Sequence, residues 1–355
     1  IPVYNERETL VALLRKVRGG VGIATVAACT VFAAISGSSV ATALTVGKIA
    51  IPQMLRYGMS RRGAFGVVAG GGTLGILIPP SAPMVLYAYV TETSVAALFL
   101  AGLIPGLMMA SMFALWVFMT EGRARAPAEE PAAENPAMAV ARASWSLSLP
   151  VFVLGGIYLG VFTATEAAGT GTLYAVIIAA IIYRTLTWHA WLESLAESTR
   201  TSGMLLLIIA GAAIYGYMLT KLNVPQDLAR LVAELGLTQT QFLIAMLLLL
   251  FLLGLVLESF SIILLTMPAI LPALAVLDID KVWYGVLLTL SLEMALITPP
   301  VALNLVVLKA ITGAPMGEVS RSILPYMAML AIGAALIVIF PDIALWLPRV
   351  AGYGG

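Results

Sequence analysis

The chain has 355 residues, of which 61% are hydrophobic and only 10% charged. Soluble domains carry roughly 25% charged residues, so this composition does not describe a water-facing surface. Nineteen basic against 18 acidic side chains leave a net charge of +1, with no basic footprint for nucleic acid. A single cysteine, Cys29, and a single histidine, His189, exclude a disulfide framework and any multi-histidine or thiolate metal cluster. What remains is a polytopic protein whose solvent is the lipid bilayer.

Residues 1–20 carry charges and lack an apolar core, so the chain is expected to open without a signal peptide. Apolar stretches follow at 21–35 with 40–54, then at 63–90, 95–120, 145–163, 165–183 and 203–220. Further ones lie at 241–257 with 262–276, at 282–311 and at 323–346. These lengths suit helices, because a barrel would show alternating segments of about 10 residues. Between 121 and 144 the chain turns rich in Pro, Ala and Glu and reads as a polar cytoplasmic linker. The stretches 187–200 and 224–235 carry charges on one helical face and are too short to span, which predicts interfacial amphipathic helices. Alternating sides along the spans gathers Arg56, Arg61, Arg62, Arg123, Arg125, Arg142, Arg184, Arg200, Lys309 and Arg321 on one face, which is therefore the cytoplasmic one. Lys221, Arg230, Lys281 and Arg349 fall opposite.

One fixed shift of 220 residues exposes an internal repeat. Pro52 falls on Pro272, Pro79 and Pro80 on Pro299 and Pro300, and Pro105 on Pro325, four of the 19 prolines. Each copy reads as a hairpin, a Pro-broken helix and one more helix. An odd number of spans separates the two hairpins, so the second copy enters from the opposite face. Inverted repeats with interrupted helices are a signature of secondary transporters.

The first hairpin is interrupted by Ser36, Gly37, Ser38 and Ser39, which fits a re-entrant turn whose freed carbonyls suit a desolvated cation. The same small residues would also serve as a helix-packing patch. In GGGTLGILIPP, the pair Pro79–Pro80 removes two backbone donors, so that freed carbonyls with the Thr73 hydroxyl offer hard oxygen ligands. The half-helix beginning after each break presents a positive dipole end to a carboxylate, which makes Ser81 and Asn304 candidate substrate contacts. A kinked packing helix is the plainer account of either span alone. In the second copy Glu258, Glu293 and Asn304 are polar at membrane depth, where ionisable groups are costly. Glu293, which the shift places opposite Thr73, reads equally as a structural pair, a neutral carboxyl or an ion or proton group. Glu166 reads as a helix-start acid, Lys48 as a snorkelling surface residue and His189 as interfacial; the Asp278-Ile-Asp280 pattern is too short to carry weight.

GSSVATALTVGKIAIPQM, AGGGTLGILIPPSAPMVLYAYVTETSV, LFLAGLIPGLMM and ITPPVALNLVV together resemble the large membrane subunit of tripartite ATP-independent periplasmic (TRAP) transporters, over about residue 20 to the C-terminus. The resemblance implies an all-α, elevator-type importer coupled to Na+, with no cofactor and no enzymatic step. It implies a bacterial inner-membrane location and, as partners, a small membrane subunit and a periplasmic binding protein that delivers an organic anion such as a dicarboxylate or a sialic acid. It also places sodium ligands at Ser36, Gly37, Ser38 and Ser39 with Gly72 and Thr73, and at Glu258, Ser259 and Ser261 with Thr298, Pro299 and Pro300. Ala302 departs from the family's usual glycine. Residues 1–18, IPVYNERETLVALLRKVR, are similar to the opening of family-2 glycosyltransferases, so a fusion or truncation near Gly19–Gly20 is expected, but nothing after residue 20 suits glycosyl transfer. The expected organisation is a foreign or truncated segment at 1–19, a first inverted repeat at 20–120, the linker at 121–144, scaffold and interfacial helices at 145–235, and a second inverted repeat at 236–355. A stand-alone sodium- or proton-coupled symporter of similar design is the alternative.

Overall fold

The computed structural model describes residues 20–121 and 136–353, with the backbone alone for 136–143. The expected foreign segment and most of the linker lie outside the described residues. The first part runs α1 (Gly20–Ser36), α2 (Ser39–Arg56), α3 (Arg61–Leu77), α4 (Ala82–Thr91) and α5 (Val95–Thr120). The middle comprises α6 (Pro136–Tyr158), α7 (Ala164–Ile177, continued by a π-helical turn at Ile178–Ile182), α8 (Trp188–Lys221) and α9 (Val224–Glu234). The last part runs α10 (Gln239–Gly254), α11 (Ser259–Val276), α12 (Lys281–Leu296), α13 (Leu303–Thr312), α14 (Met316–Ser322), α15 (Leu324–Ile339) and α16 (Asp342–Val350).

The 220-residue spacing reappears in the backbone. Ser39 and Ser259 open the second helix of each hairpin, and Arg61 and Lys281 open the helices that later break. Pro79–Pro80 and Pro299–Pro300 are both cis. α4 and α13, the half-helices after the breaks, each have 10 residues and each ends in a left-handed cap, at Glu92 and at Gly313.

Among the described residues, six helical stretches are long and apolar enough to cross a membrane: Arg61–Thr91, Val95–Thr120, Ala164–Ile182, Trp188–Lys221, Ser259–Val276 and Met316–Ile339. Their packing differs sharply. From Ala64 to Leu77 every residue of α3 is buried, whereas α8 buries only Ala212 and α7 only Ala167 and Gly171. Leu206, Leu207, Ile214 and Met218 all point outward from α8. An apolar exterior around a central helix rich in glycine and alanine is the arrangement a lipid solvent selects, because close packing rather than apolar burial holds the helices together.

Several boundaries differ from the sequence pattern. The expected interfacial helix 187–200 and the span 203–220 form one 34-residue helix, α8, capped by Thr187, whose hydroxyl accepts from the Ala190 amide. Thr201, Ser202 and Gly203 lower helix propensity without breaking it, so the charged segment simply extends the span. α6 starts at Pro136, inside the expected linker, where proline at the first helical position loses no hydrogen bond and the following alanines favour helix. The stretch 323–346 is divided at Phe340–Pro341, and Arg349 pairs with Asp342 within α16 at 2.6 Å. The segment 224–235 is the expected short amphipathic helix, with Pro225, Ala229 and Val232 buried. Glu166 forms a capping box with Thr163. Asp278 sits in a left-handed turn and Asp280 caps α12 by accepting from the Val282 and Trp283 amides, which accounts for that pair structurally.

The first and last parts are interlocked. Tyr87 on α4 donates to the Lys281 carbonyl at 2.6 Å, and Lys281 Nζ donates to the Thr91 carbonyl at 3.1 Å, setting a cation at the C-terminus of α4. The Trp283 indole donates to the Ile337 carbonyl, joining α12 to α15. A Cβ on Gly70 would stand 2.2 Å from Cδ1 of Tyr326 on α15. Gly70→Ala is therefore expected to destabilise by about 1–3 kcal/mol through overpacking. Gly169→Ala, where a Cβ meets open space, should be neutral or gain about 0.5–1 kcal/mol from helix propensity. Thermal unfolding of the two variants in detergent checks the contrast.

Candidate functional site

The first hairpin turns within two residues. Gly37 has φ +60, and a Cβ there would stand 2.5 Å from the Pro80 carbonyl oxygen, so the turn fits only glycine and lies directly on the first helix break. Ser38 caps α2 by accepting from the Ala41 amide at 3.3 Å. Thr42, one turn into α2, donates to the Ser38 carbonyl at 2.8 Å and lies 3.1 Å from the Ser36 hydroxyl. The tip is thus a closed set of hydroxyls and carbonyls. α3 meets it edge-on: a Cβ on Gly75 would be 2.5 Å from the Ser38 carbonyl oxygen and 2.6 Å from the Ser39 nitrogen.

Glu293, on α12, reaches this junction from the other half of the chain. The Ser39 hydroxyl donates to its Oε1 at 2.7 Å, and the Ile76 amide, in the last turn of α3, donates to the same atom at 3.2 Å. Glu293 is fully buried, at 0% exposure, and its Oε2 has no hydrogen-bond partner. Asn304, in the first turn of α13, stands beside Gly72: a Cβ built there would be 3.4 Å from Asn304 Nδ2 and 3.3 Å from the Ser39 carbonyl oxygen. Asn304 is also 0% exposed, and neither of its amide atoms has a partner. Ser81, the residue before α4, is buried with its hydroxyl unpartnered. Native structures leave few buried polar atoms unpaired, and each such atom calls for an explanation.

The structure thus brings Ser36, Gly37, Ser38, Ser39, Gly72 and Asn304 together around the first break, with Ser81 just after it. Thr73 is buried in α3, its hydroxyl donating to the Gly70 carbonyl at 2.6 Å while keeping acceptor lone pairs. The second set is more open. Glu258 is exposed and caps α11, accepting from the Phe260 amide at 3.0 Å; Ser259 is buried and Ser261 half-buried. Thr298 donates to the Met294 carbonyl at 2.6 Å and lies 3.2 Å from Met327 Sδ, while Pro299 and Pro300 are exposed. Among the described residues no hydrogen bond joins Glu258, Ser259 or Ser261 to Thr298. The two regions come together instead where a Cβ on Gly254, at the end of α10, would collide with Ala295.

Ala302 adopts φ 44, ψ 61 immediately before α13. That is the left-handed region, which costs an L-residue roughly 1–2 kcal/mol and glycine nothing. A glycine at this position would remove the strain. Gly75, Thr42 and the Ile76 amide escape a reading of motifs alone, since a backbone amide and a close approach leave no residue signature. Only the density of glycines in GGGTLG hints that something must come near.

The chain matches the family described as "Tripartite ATP-independent periplasmic transporter, DctM component" over residues 8–343. It is 40% identical to the C4-dicarboxylate TRAP transporter large permease protein DctM of Pseudomonas aeruginosa, over 96% of this chain and 80% of that protein. It is 32% identical to the sialic acid TRAP transporter large permease protein SiaM of Vibrio cholerae, covering 99% and 82%. It is also 32% identical to the ectoine TRAP transporter large permease protein TeaC of Halomonas elongata, covering 96% and 80%. In fold it is similar to the YdaH transporter of Alcanivorax borkumensis, with a TM-score of 0.64 over 94% of this chain and 84% of that one, at 16% identity. The family match begins inside residues 1–18, and none of these relatives supports the glycosyltransferase likeness of that stretch.

Ser39→Ala would strip Glu293 of its hydroxyl donor and is expected to cost about 1–3 kcal/mol. Asn304→Leu removes atoms that have no partner in the fold, so its stability should match or exceed that of the unmodified chain. Thermal unfolding in sodium-free buffer separates the two.

Proposed function

Because the chain belongs to the DctM family of tripartite ATP-independent periplasmic transporters, we propose that it is the large permease subunit of an importer that uses a sodium gradient to carry an organic anion across the bacterial inner membrane. A small membrane subunit and a periplasmic binding protein complete the system, the latter handing over the substrate. The relatives are named for C4-dicarboxylates, sialic acid and ectoine, each of which carries a carboxylate, so a carboxylate is the group to be recognised.

The observation that carries this reading is the meeting of Ser39, Gly72, Ser81, Glu293 and Asn304 at two helix breaks, with buried polar atoms that the fold itself leaves unpaired. Hydroxyls and carbonyls of Ser36, Gly37, Ser38 and Ser39, with Gly72 and Thr73, are hard neutral oxygens of the kind a desolvated sodium ion takes. Glu258, Ser259 and Ser261 with Thr298, Pro299 and Pro300 form the matching set in the second half. The half-helices α4 and α13 begin beside this region, so their N-termini, with Ser81 and Asn304, suit the substrate carboxylate. The two hairpins re-enter the membrane from opposite faces and move with the broken helices as one transport body.

Sodium orders the hairpin tip, and the anion site forms only around the ordered tip. The two ligands therefore bind with positive cooperativity, and a carrier that moves only when both or neither are bound links the flux of one to the other. No covalent step is involved.

Proteoliposomes containing this chain and its small subunit test the reading, with binding protein and a labelled C4-dicarboxylate outside. Uptake is expected only with an inward sodium gradient and the binding protein present, and Ser38→Ala should raise the sodium concentration for half-maximal uptake by roughly tenfold, the loss of one good ligand. Uptake that persists without the binding protein would instead identify a stand-alone symporter. Uptake indifferent to sodium would overturn the coupling.

A further inference from the structure

Among the described residues, six buried side-chain atoms lack a hydrogen-bond partner, and three of them belong to Glu293 and Asn304. Glu293 is also the one buried acidic or basic side chain among those residues, and none of the ion pairs found there involves it. Its Oε1 is held by Ser39 and by the Ile76 amide, which aims the carboxyl group and leaves Oε2 unused. A buried carboxylate with one oxygen unpaired is expensive unless a cation or a proton accompanies it, and the neutral oxygens gathered at the hairpin tip suit a cation. Asn304, equally buried, packs against the same junction: a Cβ on Gly72 would lie 3.4 Å from its Nδ2 and 3.3 Å from the Ser39 carbonyl oxygen, and its Oδ1 is a neutral acceptor without a partner.

We propose that Glu293 and Asn304 complete the cation site at the first hairpin, Glu293 Oε2 supplying its negative charge and Asn304 Oδ1 a neutral ligand. The inference rests on the sodium-coupled reading and deepens it. The site then draws ligands from both halves of the chain: Ser39 and its neighbours from the first, a carboxylate and an amide from the second. A monovalent cation suits one carboxylate among neutral oxygens, since the pair is neutral overall, whereas a divalent ion would leave a buried positive charge. The Asn304 Nδ2 donors remain free for the anion. Glu293 thereby explains itself: it sits at membrane depth because the ion it binds travels there.

Glu293→Gln is the informative change, because an amide oxygen still accepts from Ser39 and Ile76 while the charge is gone. Sodium chloride is titrated calorimetrically against the purified chain with its small subunit, choline chloride keeping ionic strength constant. The unmodified protein is expected to bind sodium, and Glu293→Gln to weaken one site on the order of a hundredfold, as loss of a buried charge partner does, with the midpoint of unfolding in choline unchanged. Sodium binding equal to that of the unmodified protein would overturn the proposal and leave Glu293 a structural residue. If Glu293→Gln does not fold, Asn304→Leu decides: it too must weaken sodium binding, and unchanged binding overturns the proposal. Absence of sodium binding to the unmodified protein would instead bring down the sodium-coupled reading itself.

Discussion

Two helices interrupted inside an apolar protein must find partners for the groups their breaks expose, because lipid offers none. Here the first break is served by the hairpin tip and by Glu293. α3 ends against the Ser38–Ser39 peptide, Pro80 lies on Gly37, and the carboxylate that secures Ser39 and the Ile76 amide arrives from α12. Each of these contacts requires the others. A side chain at Gly75 would push the tip away from α3, and a tip displaced by that much would take Ser39 out of reach of Glu293. Gly72 and Gly75 of α3 follow from this constraint, since a side chain on that face would hold the tip away, whereas Gly66 and Gly70 answer to Tyr326 on α15.

The two halves repeat one plan but use it differently. In the first, α3 is wholly buried and the tip is closed on itself by Ser36, Thr42 and Ser38. In the second, Pro299, Pro300 and Glu258 are exposed, and Glu258 caps its own helix instead of bonding across to α12. The first break is thus enclosed and the second open.

Much of this was legible in the sequence. The adjacent pairs Pro79–Pro80 and Pro299–Pro300, 220 residues apart, marked both breaks, because two missing donors in succession interrupt a helix, whereas the single Pro52, Pro105 and Pro272 lie within continuous helices. The hairpins were visible as apolar stretches interrupted by small polar residues. Helix lengths around residues 136, 200 and 340 were less so, since propensity changes gradually along Ala-rich or Thr-Ser-Gly segments and the bilayer does not forbid a helix from extending past it. The site was half legible. Ser39, Gly72 and Asn304 could be proposed from type and place, but the link from Ser39 to Glu293 spans 254 residues and depends on packing that no local pattern encodes. Ala302 illustrates the reverse: its departure from glycine was plain in the sequence, while the left-handed backbone that gives the departure its meaning was not.

The central claim is that one site is built jointly by the first hairpin and by Glu293. A double-mutant cycle tests it most directly, with Ser39→Ala, Glu293→Gln and their combination each scored by how far one fixed sodium concentration raises Tm, since a ligand stabilises the folded state by RT ln(1 + [L]/Kd). A joint site predicts that the double variant loses no more sodium stabilisation than Glu293→Gln alone. Losses that simply add would mean that the two residues act on separate sites, and would contradict the account.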